Sequence, residues 1–91
     1  MRTFSRTSQF KKDVKRADKR GQDMAQLKVV LELLIDGEPL PPEFKDHPSR
    51  GNFAGSHDCH IEPDWMLIYT LAEKDTHVRF ERTGTHSDLF R

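Results

Sequence analysis

One cysteine, one tryptophan and one tyrosine are all that 91 residues contain of those types. A lone cysteine closes no internal disulfide, which fits a reducing compartment and sets the expectation of a cytoplasmic protein. Long apolar runs are missing. None approaches the roughly 20 residues of a membrane span, so no membrane is expected among the partners. The N-terminus lacks the apolar segment of a secretory signal. There is no internal repeat and no low-complexity tract. Hydrophobic residues make up 34% and charged residues 33% of the chain. That composition suits one domain over residues 1–91 with a modest core and much polar surface.

Net charge is zero, but the average hides an asymmetry. Residues 1–21 hold eight Lys/Arg against two Asp/Glu, and residues 22–91 hold seven against thirteen. A basic end points to a polyanionic or acidic partner, or to a solvated helix face.

Read in order, Arg2-Thr3-Phe4-Ser5 makes a short first strand. Thr7 or Ser8 can cap a helix over Gln9–Arg20, which Gly21 ends. Phe10, Val14 and Ala17 fall on one side of that helix, and Lys11, Lys12, Lys15, Arg16, Lys19 and Arg20 cover the other. Gln22 or Asp23 caps a second helix to about Ile35. Its apolar face is Met24, Leu27, Leu31, Leu34 and Ile35, with Val30 beside it and Val29 and Leu33 widening it. Gly37 and Pro39 stop it. The short link predicts an antiparallel helical hairpin.

Residues 38–54 read as a proline-rich loop centred on Lys45-Asp46-His47-Pro48. Three strands then follow over 55–62, 65–71 and 77–82, with short turns that imply antiparallel pairing. Cys59 and Ile61 share one face of the first, while Asp58, His60 and Glu62 share the other. Trp65 to Leu71 is nearly continuous and apolar, as a central strand is. The fold class is α+β: a short β1, a helical hairpin, then a three-stranded meander, with the hairpin on one face of a small antiparallel sheet.

The loop supplies His47, the first meander strand His60, and the following turn Asp64. The end of the last strand supplies Arg82 and His86. In a meander, His60, Asp64, Arg82 and His86 can meet at one edge. RNA cleavage by its own 2′-hydroxyl needs a base, an acid and a cation on the phosphate, and these residue types supply all three without a metal. His86 is assigned as the acid, Arg82 as the phosphate grip, and His60 or Asp64 as the base. Trp65 and Phe90 can stack on bases, or pack in the core. His57, Cys59, His60, Asp64 and His86 are ligand types, but they stand at no recognised ligand spacing, so neither metal nor other cofactor is expected.

Lys45-Asp46-His47-Pro48, Asp58, His60-Ile61-Glu62-Pro63-Asp64-Trp65, Ile68-Tyr69, Arg79 to His86 and Leu89-Phe90 closely resemble the YafQ toxins, a histidine-rich branch of the RelE superfamily. The likeness extends to Asp13-Val14-Lys15, Lys19-Arg20 and Asp23-Met24. It implies a RelE-like fold and a type II toxin, an mRNA endonuclease of the ribosomal decoding site held inactive by a cognate, DinJ-like antitoxin. The partners implied are then that antitoxin and the 70S ribosome with its mRNA and rRNA. The family's active-site positions fall on His47, His60, Asp64, Trp65, Arg82, His86 and Phe90. The basic face of the first helix is expected to meet rRNA phosphates. Ser56-His57 replaces an aromatic residue and an arginine common in the branch, Ser49 a leucine, and Phe53 a tryptophan. ParE-like toxins of the same fold act on gyrase without cutting RNA, which is the alternative function. The intact His60, Asp64, Arg82 and His86 set favours the nuclease.

Overall fold

Thr7 ends the first strand and starts the first helix. The structure, a computed structural model, describes residues 1–90. Strand β1 covers Thr3–Arg6 and helix α1 covers Ser8–Lys19. The Thr7 hydroxyl accepts the Phe10 N–H at 2.9 Å, so Thr7 and not Ser8 is the cap. Helix α2 spans Met24–Asp36, and the Asp23 side chain accepts the Gln26 N–H at its start. Gly37 closes α2 at φ 78°, a left-handed conformation that only glycine adopts without strain.

The sheet is wider than the meander alone. Its order is β1-β5-β4-β3-β2, with β2 at His47–Pro48, β3 at His57–Glu62, β4 at Trp65–Ala72 and β5 at His77–Gly84. The last three pair antiparallel, as expected, and β4 lies at the centre. The expectation of a purely antiparallel sheet is corrected at one edge. There β1 runs parallel to β5, from Thr3↔His77 to Arg6↔Phe80. Parallel strands need a long crossover, and α1 and α2 lie in the chain between these two. The loop is corrected too. It carries two short 3₁₀ turns, Pro42–Phe44 and Gly51–Phe53, and between them β2 pairs with β3. Pro48 is tolerated because β2 is an edge strand, where a missing N–H breaks no second ladder.

Each face of the sheet has its own core. The helices bury Phe10, Ala17, Leu27, Val30 and Leu34 against Cys59, Ile61, Leu67, Tyr69, Val78 and Phe80. The opposite face holds a small cluster of Met66, Ile68 and Leu89 with Phe53 packed on it. Trp65 belongs to the helix-side core and is 1% exposed, so the expected base-stacking role for Trp65 is corrected. Its ring has no face left for a base. Val29, expected to widen the apolar stripe of α2, is instead exposed.

A bulge in β5 decides where its end points. Tyr69 pairs with Phe80, but Ile68 pairs with Arg82, so Glu81 is the extra residue. One inserted residue reverses the alternation. Arg82 therefore loses the parity it shares in sequence with Val78 and Phe80. Beyond the bulge, Thr85 caps a last short helix, α3 at His86–Leu89, through a capping box with Asp88.

Candidate active site

Three histidine rings stand in a row on the face away from α1 and α2. The His47 and His60 centroids are 6.1 Å apart, and so are those of His60 and His86. Phe90 extends the row, 5.9 Å from His86, and meets Phe53 edge-on. A groove of about 470 Å³ is lined by His47, Pro48, Arg50, Gly51, Asp58, His86 and Phe90. His60 lines the neighbouring depression, together with Lys45 and Glu62.

Each ring is held at Nδ1. His47 Nδ1 lies 2.6 Å from the Lys45 carbonyl and His60 Nδ1 3.2 Å from the Pro63 carbonyl. A carbonyl only accepts, so both nitrogens carry their proton and Nε2 is the lone-pair nitrogen of each neutral ring. His86 differs, because its Nδ1 lies 3.2 Å from Asp64 Oδ1, which also accepts the His86 backbone N–H. These bonds hold the Asp64 carboxyl below the usual carboxylate range. Asp64 Oδ1 is thereby engaged in orienting His86 through both its ring and its backbone N–H.

Asp58 is the residue sequence reasoning passed over. It is 5% exposed, its Oδ2 is 3.9 Å from His47 Nε2, and Oδ1 has no hydrogen-bond partner among the described residues. Burial pushes its carboxyl up, while His47, His60 and His86 pull it down. Its alternation with Cys59, which sets it on the face of His60, was the available signal.

Arg82 is drawn elsewhere. Its Nε and Nη2 donate to the Asp13 carboxylate at 2.7 and 3.2 Å. The Asp13 side chain is fully buried and also accepts from Gln9, Arg16 and the Thr83 N–H. The cause lies in the sheet edge. β1 stops at Arg6 opposite Phe80, so the Thr83 N–H would be left unpaired, and Asp13 of α1 fills that gap. The structure thus brings together His47, His60, Asp64, His86 and Phe90, and leaves Arg82 out of the groove wall. A phosphate grip by Arg82 would take it from a buried carboxylate.

The basic face of α1 divides. Arg20 binds Asp88 through two nitrogens at 2.7 and 3.2 Å, and Arg16 reaches Asp88 at 3.6 Å as well as Asp13 at 3.0 Å. Lys11, Lys12, Lys15 and Lys19 remain exposed. Arg16 and Arg20 clamp α3 through Asp88, unlike the four lysines. Gly84 makes the clamp possible, since a Cβ there would stand 2.8 Å from the Asp88 Cβ.

A mixed sheet sealed by helices on one side, with a histidine row and an oriented His–Asp pair on the other, defines a small α+β protein equipped for acid–base chemistry. Residues 2–91 match the family model described as the bacterial toxin of the type II toxin–antitoxin system, YafQ. The chain belongs to this YafQ toxin family. It is 51% identical over 90 residues to the mRNA interferase toxin YafQ of Escherichia coli K12, covering 98% of this chain and 96% of that protein. The crystal structure of YafQ from E. coli BL21(DE3) superimposes with a TM-score of 0.92 at 49% identity over 100% of both chains. The toxin in an E. coli DinJ–YafQ complex does so with a TM-score of 0.91 at 50% identity, again over 100% of both chains. The α+β class and the helices-then-meander order expected from the sequence are those of these structures.

Proposed function

We propose that this toxin is an mRNA interferase that cuts messenger RNA in the ribosomal decoding site, in the cytoplasm, and is held inactive by a DinJ-like antitoxin. One observation carries the chemistry: two histidines 6.1 Å apart, with differently held Nδ1 atoms. His60, tied to a carbonyl, offers an Nε2 lone pair and takes the 2′-hydroxyl proton. His86, whose Nδ1 is held by the Asp64 carboxylate, acts as the acid and gives its Nε2 proton to the leaving 5′-oxygen. The 2′-oxygen–phosphorus bond forms as the phosphorus–5′-oxygen bond breaks. The products are a 2′,3′-cyclic phosphate and a 5′-hydroxyl. His47 and Asp58 line the same site, and Phe90 offers an exposed ring for a base. No step needs a metal.

The test is to add the toxin to a translating extract and map mRNA ends. Codon-phased cuts bearing cyclic phosphates, made by EDTA-treated toxin with magnesium restored for the ribosome, support the reading. DNA breaks with intact mRNA, or 3′-hydroxyl ends, reject it.

A further inference from the structure

The groove contains a carboxylate, Asp58, and a second, Asp64, close behind His86. A phosphodiester entering it meets negative charge and needs a fixed cation. Arg82, assigned to that task from the sequence, is committed to Asp13, and Arg16 and Arg20 are committed to Asp88. We propose that Arg50 is the phosphate-binding residue of this site, holding the scissile phosphodiester against His86. The inference rests on the nuclease reading above.

Arg50 lines the groove together with His47, Asp58, His86 and Phe90. Its side chain is exposed and makes no hydrogen bond or ion pair among the described residues. So it gives up no partner when it binds a phosphate, whereas Arg82 would abandon a buried charge. The backbone that carries it is pinned on both sides. Before it, His47 and Pro48 pair with β3, and the Ser49 N–H donates to the Ser56 carbonyl at 2.9 Å. After it, Phe53 packs on Met66, Ile68 and Leu89 and meets Phe90 edge-on. A guanidinium on such an anchored loop keeps its stem in place while the fork turns to the phosphate, offering two parallel hydrogen bonds. Lys45 is the rival cation. It lies in the neighbouring depression beside Glu43 and Glu62, which compete with a phosphate for it.

Two measurements on Arg50→Gln and Arg50→Lys test this. The first titrates the isolated toxin with a 2′-deoxy dinucleotide, which cannot be cut, and follows the Arg50 Nε–H and His86 ring signals by NMR. Arg50→Gln is expected to weaken binding about tenfold, and Arg50→Lys to recover part of it. The second follows single-turnover cleavage of ribosome-bound mRNA at saturating toxin. Arg50→Gln is expected to slow it about 10²-fold, as for loss of a donor to a developing oxyanion. Arg50→Gln that binds and cleaves like wild type overturns the proposal. So does slowed cleavage with unchanged dinucleotide binding, or a larger binding loss on Lys45→Gln. Wild-type toxin that leaves ribosome-bound mRNA intact would sink the nuclease reading, and the dinucleotide titration would still decide the role of Arg50.

Discussion

At Nδ1, His60 meets a carbonyl and His86 a carboxylate, and that difference decides which proton each ring can move. His86→Ala is expected to lower single-turnover cleavage by about 10²–10⁴ while ribosome affinity stays near wild type, because the loss belongs to the chemical step. The alkaline arm of the pH–rate profile should disappear in that variant. Asp64→Asn, which removes the carboxylate that orients the ring, should slow cleavage too. An unchanged rate and profile in His86→Ala would contradict the acid assignment. Asp13 is the residue on which the end of β5 depends. Asp13→Ala leaves Arg82 and the Thr83 N–H without their acceptor and should cost about 3–5 kcal/mol, read as a lower denaturant midpoint at unchanged m-value. No local pattern marks Asp13, because its donors come from both α1 and β5, 69 residues apart at Arg82.

Among the elements, those set by local chemistry were legible. Asp23 and Gly37 bound α2 as their types require, and the alternation of Cys59 and Ile61 against Asp58 and His60 set the faces of β3. What failed depended on partners distant in sequence. Trp65 looked available for a base because a buried strand and an exposed aromatic share one composition, and only the packing of α1 and α2 separates them. Arg82 was expected in the groove, and the Asp13 contact that holds it elsewhere joins residues 69 apart in the chain. The pairing of β1 with β5 left no local signal either. The face of α1 read as uniformly cationic turns out to be two sets, which separates two kinds of variant. Replacing Lys11, Lys15 and Lys19 together by Gln should weaken ribosome binding and reduce the log–log salt slope by about 2–3, since each phosphate no longer neutralised removes about 0.9. The same slope in the triple variant would exclude these lysines from rRNA binding. Arg16 and Arg20 are left out of that set because they hold Asp88, which caps α3 and so sets the start of the helix on which His86 stands.

For the whole molecule, that clamp makes stability sensitive to acid. The Arg20 guanidinium and the Thr85 N–H hold the Asp88 carboxyl well below the usual range. A carboxyl depressed in the folded state binds fewer protons there than in the unfolded chain. Its stabilisation is therefore complete above the unfolded value of about 3.9 and is lost as pH falls from there toward the folded value. Urea midpoints should drop as pH is lowered from about 6 to about 3, and the drop should be smaller in Asp88→Asn. An equal drop in both would remove Asp88 as the source. The pairing of β1 with β5 reaches further than stability. The ribosome makes β1 and α1 first, yet the strand they dock on is the last strand to emerge. Nascent chains stalled before His77 leaves the ribosome should be digested readily by protease, and a protected domain at that stage would refute this order. Until β5 is out, Asp13 has no Arg82 to hold and Asp64 has no His86 to orient. On the proposed function, a chain still short of β5 cannot yet attack the ribosome making it, and an antitoxin is needed only once β5 has paired with β1.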